Sequence, residues 1–287
     1  MNKILVVGIV GESVFMKCDH FHNPGETIAV NEIYTEIGGK GFNQALTIKI
    51  LGGDVKFVCA LGNDHIKEKC LNEMTELGVE YKYFIDSNHN TAYANILTNK
   101  YGDNQVSVYH GASLNSTNLT QLYSEIDQSE YILLQLEIPY MINLEIAKYA
   151  KSKNKTVILN PAPVCEIKDL LNYVDIITPN EIEVVTLFGE DYQNVLLNRS
   201  FKTIVTRGNK TTLLIDGSVT EFETVSVNVK DTTGAGDAFN GALVYRLSQG
   251  DSMKEAIMLA NSVAGHTVQY DYVLPGIISL KLALTKS

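Results

Sequence analysis

Several things are scarce in this chain, and each shortage removes a class of protein. Only four cysteines stand in 287 residues: Cys18, Cys59, Cys70 and Cys165. No two have CxxC spacing and no His/Cys cluster has zinc-like spacing, so they read as free thiols in a reducing compartment. No apolar run approaches the ~18 residues of a membrane helix. Positive charge is short, with 23 Lys and Arg against 33 Asp and Glu and a net charge of −10. Nucleic-acid binding needs a basic face and is not expected; a small anion held at a helix N-terminus is still allowed. Internal repeats, low-complexity tracts and long linkers are absent. The histidines His20, His22, His65, His89, His110 and His266 are scattered, which argues against a metal cluster. A cytoplasmic protein without membrane contact is the expectation. The run Met1–Gly8 is short, lacks a small-residue cleavage site and is soon followed by Glu12 and Lys17, so it reads as a buried first strand.

What is present is an alternation. Short apolar runs at Ile4–Val7, Lys56–Ala60, Tyr131–Leu136, Thr156–Leu159, Asp175–Thr178, Thr203–Thr206 and Thr212–Ile215 read as strands. Helical patterns fall at Phe42–Leu51, Asp64–Leu77, Met141–Lys153, Glu181–Phe188, Ala235–Gln249 and Ser252–Val268. The expected fold is a three-layer α/β sandwich with a largely parallel central sheet, the whole chain 1–287 forming one domain. Two stretches break the rhythm, about 11–36 and 79–112, where β-rich segments including Tyr81–Tyr83, Thr91–Thr98 and Gln105–Tyr109 follow without helices. They are expected to form a small antiparallel sheet that closes as a lid, an edge extension or a dimer surface.

The densest chemical signal is Asp231-Thr232-Thr233-Gly234-Ala235-Gly236-Asp237-Ala238-Phe239-Asn240-Gly241. Glycines permit close backbone approach to a ligand, and a helix starting here offers free N–H groups and a favourable dipole to a phosphoryl group. An aspartate beside a bound anion is awkwardly placed unless it handles a proton, which makes Asp237 a candidate base for phosphoryl transfer. The plainer reading is a turn with Asp237 as helix cap. A second cluster, Gly38-Gly39-Lys40-Gly41-Phe42-Asn43-Gln44-Ala45, is not a Walker A loop, because its lysine is misplaced and no Ser or Thr follows. Asn43 offers a donor and an acceptor, which suits a polyhydroxylated ligand. Lys40 reads as solvated.

These two clusters resemble the paired signatures of the ribokinase-like (PfkB) carbohydrate kinases. Three further segments resemble the family in order: Leu134–Pro139 with Glu137, Thr178–Glu183, and Val205–Gly208. The resemblance implies an ATP-dependent kinase acting on a hydroxymethyl group of a sugar, with Asp237 as base and Gly234, Ala235 and Gly236 around the transferred phosphoryl. It implies Gly39, Asn43 and Glu137 on substrate hydroxyls, and Asn180, Thr206, Gly208, Gly236 and Asn261 at the nucleotide. Glu183 would order Mg²⁺ through water, and Asp231 and Thr233 would belong to a loop for a monovalent cation such as K⁺. A homodimer through the lid is a further implication.

The chain departs from ribokinases proper at two places. Where those carry a ribose-gripping asparagine and aspartate, this sequence has Gly11 and Ser13. Glu12 is adjacent, but neighbouring strand residues face opposite ways. Near the C-terminus, bulky Tyr270 and Tyr272 stand in the loop where cation-binding relatives are small. Two alternatives to the sugar kinase stay open: a nucleoside kinase of the same fold, and a sugar or nucleotide sensor without catalysis.

Overall fold

The computed structural model describes residues 3–284. Strand β1 (Ile4–Val7) is apolar throughout and wholly buried, as a central parallel strand covered on both faces must be. It lies in a nine-stranded sheet with β4 (Val55–Leu61) and β5 (Glu80–Ile85) on one side. On the other run β8 (Tyr131–Gln135), β9 (Thr156–Asn160), β10 (Ile176–Ile177), β11 (Lys202–Val205), β12 (Thr212–Ile215) and β13 (Val219–Phe222). Pairing is parallel from β5 to β11, and β12 and β13 add an antiparallel edge.

Alternation along these strands feeds two cores. Ile4, Val6, Phe57, Leu133 and Ile158 pack toward one face with helices α1 (Lys40–Ile50), α2 (His65–Glu76), α7 (Ala235–Ser248), α8 (Met253–Thr267) and α9 (Val273–Leu284). Leu5, Val7, Val58, Leu134 and Leu159 pack toward the other with α3 (Leu119–Asp127), α4 (Tyr140–Ser152), α5 (Glu181–Phe188) and α6 (Tyr192–Leu196). The layers are helix, sheet, helix.

A second sheet has the order β3-β2-β6-β7, from β2 (Gly11–Lys17), β3 (Glu32–Gly38), β6 (Ala92–Thr98) and β7 (Asn104–Tyr109). Its outer pairings are antiparallel, and β2 and β6 run parallel. Tyr81–Tyr83, expected in this small sheet, lies instead in β5 of the large one. The reason is α2: a strand returning after a crossover helix lands parallel beside its predecessor β4. The stretch from Glu26 to Asn31 is likewise not strand, and β3 begins at Glu32.

One carboxylate fixes where the small sheet meets the body. Asp64 caps α2 by accepting from the Lys67 N–H at 3.0 Å. It also accepts from the Thr91 N–H at 2.6 Å and the Thr91 hydroxyl at 2.8 Å, just before β6 starts. Thr91 is fully buried, so these donors have no water to turn to. Asp64→Ala removes a cap and two buried bonds together. It is expected to cost about 2 kcal/mol of stability, read as a lower urea midpoint at unchanged slope; an unchanged midpoint would show that the cap is dispensable.

Candidate active site

The two glycine signatures end up side by side because α1 and α7 pack against each other with their N-termini at the same end of the sheet. The Asn43 amide donates to Asp237 Oδ2 at 2.9 Å, and the Gln44 amide donates to Asp237 Oδ1 at 3.1 Å. Behind them, Gln44 also donates to Asn160 Oδ1 at 3.1 Å, and Gln135 donates to Gln44 Oε1 at 2.6 Å. Asp237 is 6% exposed. A buried carboxylate held by neutral amide donors stays an acceptor without being neutralised by a counter-charge in direct contact.

Asp237 stands between two cavities and lines both. The larger, about 370 Å³, lies between the body and the small sheet. From the body, Gly39, Lys40, Asn43, Glu137 and Gly234 line it; from the small sheet come Gly11, Ser13, Phe15, Ala94, Val106 and others, with His110 at its rim. The smaller, about 200 Å³, is lined by Lys40, Thr178, Asn180, Glu183, Thr206, Gly236 and Asn240. Gly234 and Lys40 also belong to both.

Gly234 caps α7 in the left-handed conformation, φ 75°, with Val273 packed so close that a Cβ would sit 2.5 Å from Val273 Cγ1. Only glycine meets both demands. The Ala235 N–H is engaged by the Thr232 carbonyl at 3.2 Å. Among the described residues, the N–H groups of Gly236 and Asp237 have no acceptor, so they are the donors left for an anion.

The electrostatics centre on Lys40, which is half-buried rather than solvated. Asp237 holds its ammonium pKa above the ordinary lysine value; burial opposes this, and Glu137 and Glu183 reinforce it. The Lys40 N–H donates to Glu137 Oε2 at 2.9 Å. Burial pushes the Glu137 carboxyl up to about 7, against the pull of the Lys40 ammonium, and Asp237 pushes it further. Burial also raises Glu183, while the Asn180 N–H and Lys40 hold it down.

Asn180 proves to be the cap of α5: its Oδ1 accepts from the N–H groups of Ile182 and Glu183, and Glu183 Oε2 accepts back from Asn180 N–H at 2.8 Å. Gly208 and Asn261 line neither cavity. Asn261 is buried as a tether, accepting from Thr212 Oγ1 at 2.7 Å and donating to the Glu223 carbonyl. Asp231 Oδ1 accepts from Thr233 N–H at 2.8 Å. Gln44, Asn160 and Glu36 escaped sequence reasoning. Gln44 had a signal, its place inside the first signature; the other two reach the cavities only through tertiary neighbours.

With the geometry in view, the relatives are informative. A family described as pfkB family carbohydrate kinase matches residues 1–276. The chain belongs to the pfkB family. Ribokinase from Staphylococcus aureus (strain COL) is 31% identical over 285 residues, 93% of this chain and 94% of the relative. Ribokinase from Lactococcus lactis (strain IL1403) is 33% identical over 272 residues, 93% and 90% respectively. The structure of Thermotoga maritima ribokinase matches over 100% of both chains with a TM-score of 0.89 at 32% identity. That of Arabidopsis thaliana ribokinase, complexed with ribose and ATP, covers 100% of this chain and 99% of its own with a TM-score of 0.86 at 26% identity. This pfkB chain is therefore a sugar kinase of the ribokinase-like fold. Among the described residues, no helix is long and apolar enough to cross a membrane.

The raised Glu137 carboxyl has a consequence for the stability of this kinase. A carboxyl whose folded pKa of about 7 exceeds its ordinary 4.5 binds its proton more tightly when folded. The stability so gained is present below 4.5 and is lost as pH rises through 7. Thermal unfolding midpoints followed across that window should fall more steeply for the wild-type protein than for Glu137→Gln; equal slopes would show that Glu137 ionises freely.

Proposed function

We propose that the chain transfers the γ-phosphoryl group of ATP to a hydroxymethyl oxygen of a sugar held in the larger cavity, with Asp237 as the base. The observation carrying this reading is that Asp237 lines both cavities, where an acceptor hydroxyl on one side meets a phosphoryl group on the other. Asn43 and Gln44 aim the carboxylate. Asn43 Oδ1 is buried without a partner, an acceptor waiting for a substrate hydroxyl. Glu137 and the Gly39 backbone would hold further hydroxyls. Asp237 takes the proton as the hydroxyl oxygen bonds to phosphorus and the bond to ADP breaks. The Gly236 and Asp237 N–H groups, the α7 dipole and Lys40 stabilise charge on the moving phosphoryl.

The smaller cavity suits the nucleotide's phosphates, with Asn180, Thr206 and Gly236 on its wall. Gly208 and Asn261 would act at the nucleotide from outside that cavity. Glu183 keeps one oxygen free of the α5 cap, and it fits a hydrated Mg²⁺ contacted through water. Bound there, the ion would neutralise phosphate charge. A monovalent cation at Asp231 and Thr233 would have Asp231 Oδ2 as its open acceptor. Asp231 Oδ1 is taken by Thr233 N–H, and the nearby Val268 carbonyl accepts from both Lys230 and Asp231. No step is routed through such an ion.

A nucleoside acceptor is the second reading, favoured by the apolar stretch Phe15, Ala92, Ala94, Ile96, Val106 and Val108 on the cavity wall. A cytoplasmic protein and a homodimer formed through the small sheet are compatible with this reading. The test is ADP release from MgATP across sugars and nucleosides. Asp237→Asn should lower acceptor-dependent release by about 10²–10⁴-fold and leave nucleotide affinity within a few-fold. Binding of ATP or a sugar without any acceptor-dependent release would favour a sensor instead.

A further inference from the structure

We infer that Glu36, with Ser13 beside it, is a specificity-determining residue that accepts from and donates to acceptor hydroxyls on the small-sheet side of the larger cavity; this rests on the sugar-kinase reading. Register puts the two together. Ser13 on β2 is paired with Glu36 on β3 and with Ala94 on β6, and partners across a sheet share a face. Both line the cavity. Glu12, the nearest carboxylate in sequence, also borders the cavity, but its carboxylate is taken by an ion pair with Lys69 of α2.

Along β2, the positions on either side of this pair offer nothing to a hydroxyl. One step along β2, Gly11 has no room for a side chain, since a Cβ there would lie 2.1 Å from the Ala92 carbonyl oxygen. One step the other way stands Phe15 opposite Ile96. Glu36 and Ser13 are thus the polar pair between Gly11 and Phe15, while Asn104 and His110 also line the cavity.

The chemistry of Glu36 favours a ligand. It is 5% exposed and makes no ion pair among the described residues. Its two oxygens accept from Val273 N–H at 3.1 Å and Leu274 N–H at 3.0 Å. A carboxylate has about four acceptor sites, so two are left. A buried carboxylate at the start of α9 that spends only two of its acceptor sites can take hydroxyl donors arriving in the cavity. The Ser13 hydroxyl makes no hydrogen bond among the described residues and can serve the same ligand as donor. Burial pushes the Glu36 carboxyl up to about 7, the Leu274 and Val273 N–H groups hold it down, and Asp231 and Glu73 raise it further.

The test compares kcat/KM for the best acceptor and for its singly deoxygenated analogues in wild type, Ser13→Ala and Glu36→Gln. Wild type should lose at least about tenfold on one analogue, and both variants should shrink that loss to within about threefold, with KM for ATP unmoved. Ser13→Ala leaves the clamp on α9 intact and tests the Ser13 hydroxyl; where Glu36→Gln fails to fold, Glu36→Asp keeps a carboxylate for the α9 amides, shortens its reach, and should shrink the loss in the same way. Variants that slow the parent acceptor and every analogue by one common factor would leave Glu36 a merely structural residue and overturn the inference. A wild-type protein that turns over no acceptor removes the kinase reading and this one with it; turnover with unaltered discrimination removes this one alone.

Discussion

The pair of hydrogen bonds from Asn43 and Gln44 to Asp237 is the joint on which the site depends. It spans 194 and 193 residues of sequence and locks the start of α1 to the start of α7. Both helices present their N-termini at one end of the sheet, where unpaired N–H groups collect. Asp237 would repel the anion those groups attract if its own position were loose. Held by two amides, and backed by Gln135 and Asn160, it lines both cavities at once.

Lys40 is a single ammonium facing Asp237, Glu137 and Glu183. Burial pushes the Glu137 carboxyl up to about 7 and raises Glu183, so both bind a proton more tightly than a solvated carboxyl would. A chain with a net charge of −10 can still receive a phosphate-bearing ligand, because the local potential is set by one lysine and a helix end rather than by the total.

The strand and helix order was legible in the sequence because period-2 and period-3.6 patterns survive burial on both faces of a sheet. The ranges for β1, β12 and α5 coincide with those expected from the residues. The signatures disclosed Asp237, Gly234 and Asn43 because glycine spacing encodes backbone demands that few other arrangements impose. Tyr81–Tyr83 went to the wrong sheet because an aromatic strand carries no label for its partner; only the α2 crossover decides it. Lys40 looked solvated because charge says nothing of what faces it. Helix α9 passed unnoticed since its apolar run lacks a cap motif, and with it went the partners of Glu36.

Tyr272 shows what that late segment does. It is one of two non-glycine residues with positive φ among those described, at 66°, a conformation that disfavours side chains. Its ring stacks on Tyr34 at 3.9 Å and meets Phe15 edge-on at 5.1 Å, and its hydroxyl donates to Glu32 at 2.7 Å. The strands it grips lie far ahead of it in the chain. A ribosome releasing this chain from its N-terminus therefore makes β2 and β3 some 240 residues before their anchor exists. That wall of the larger cavity waits for a distant segment, so a truncated product lacking Tyr272 would keep the central strands and lose the fastening of its pocket.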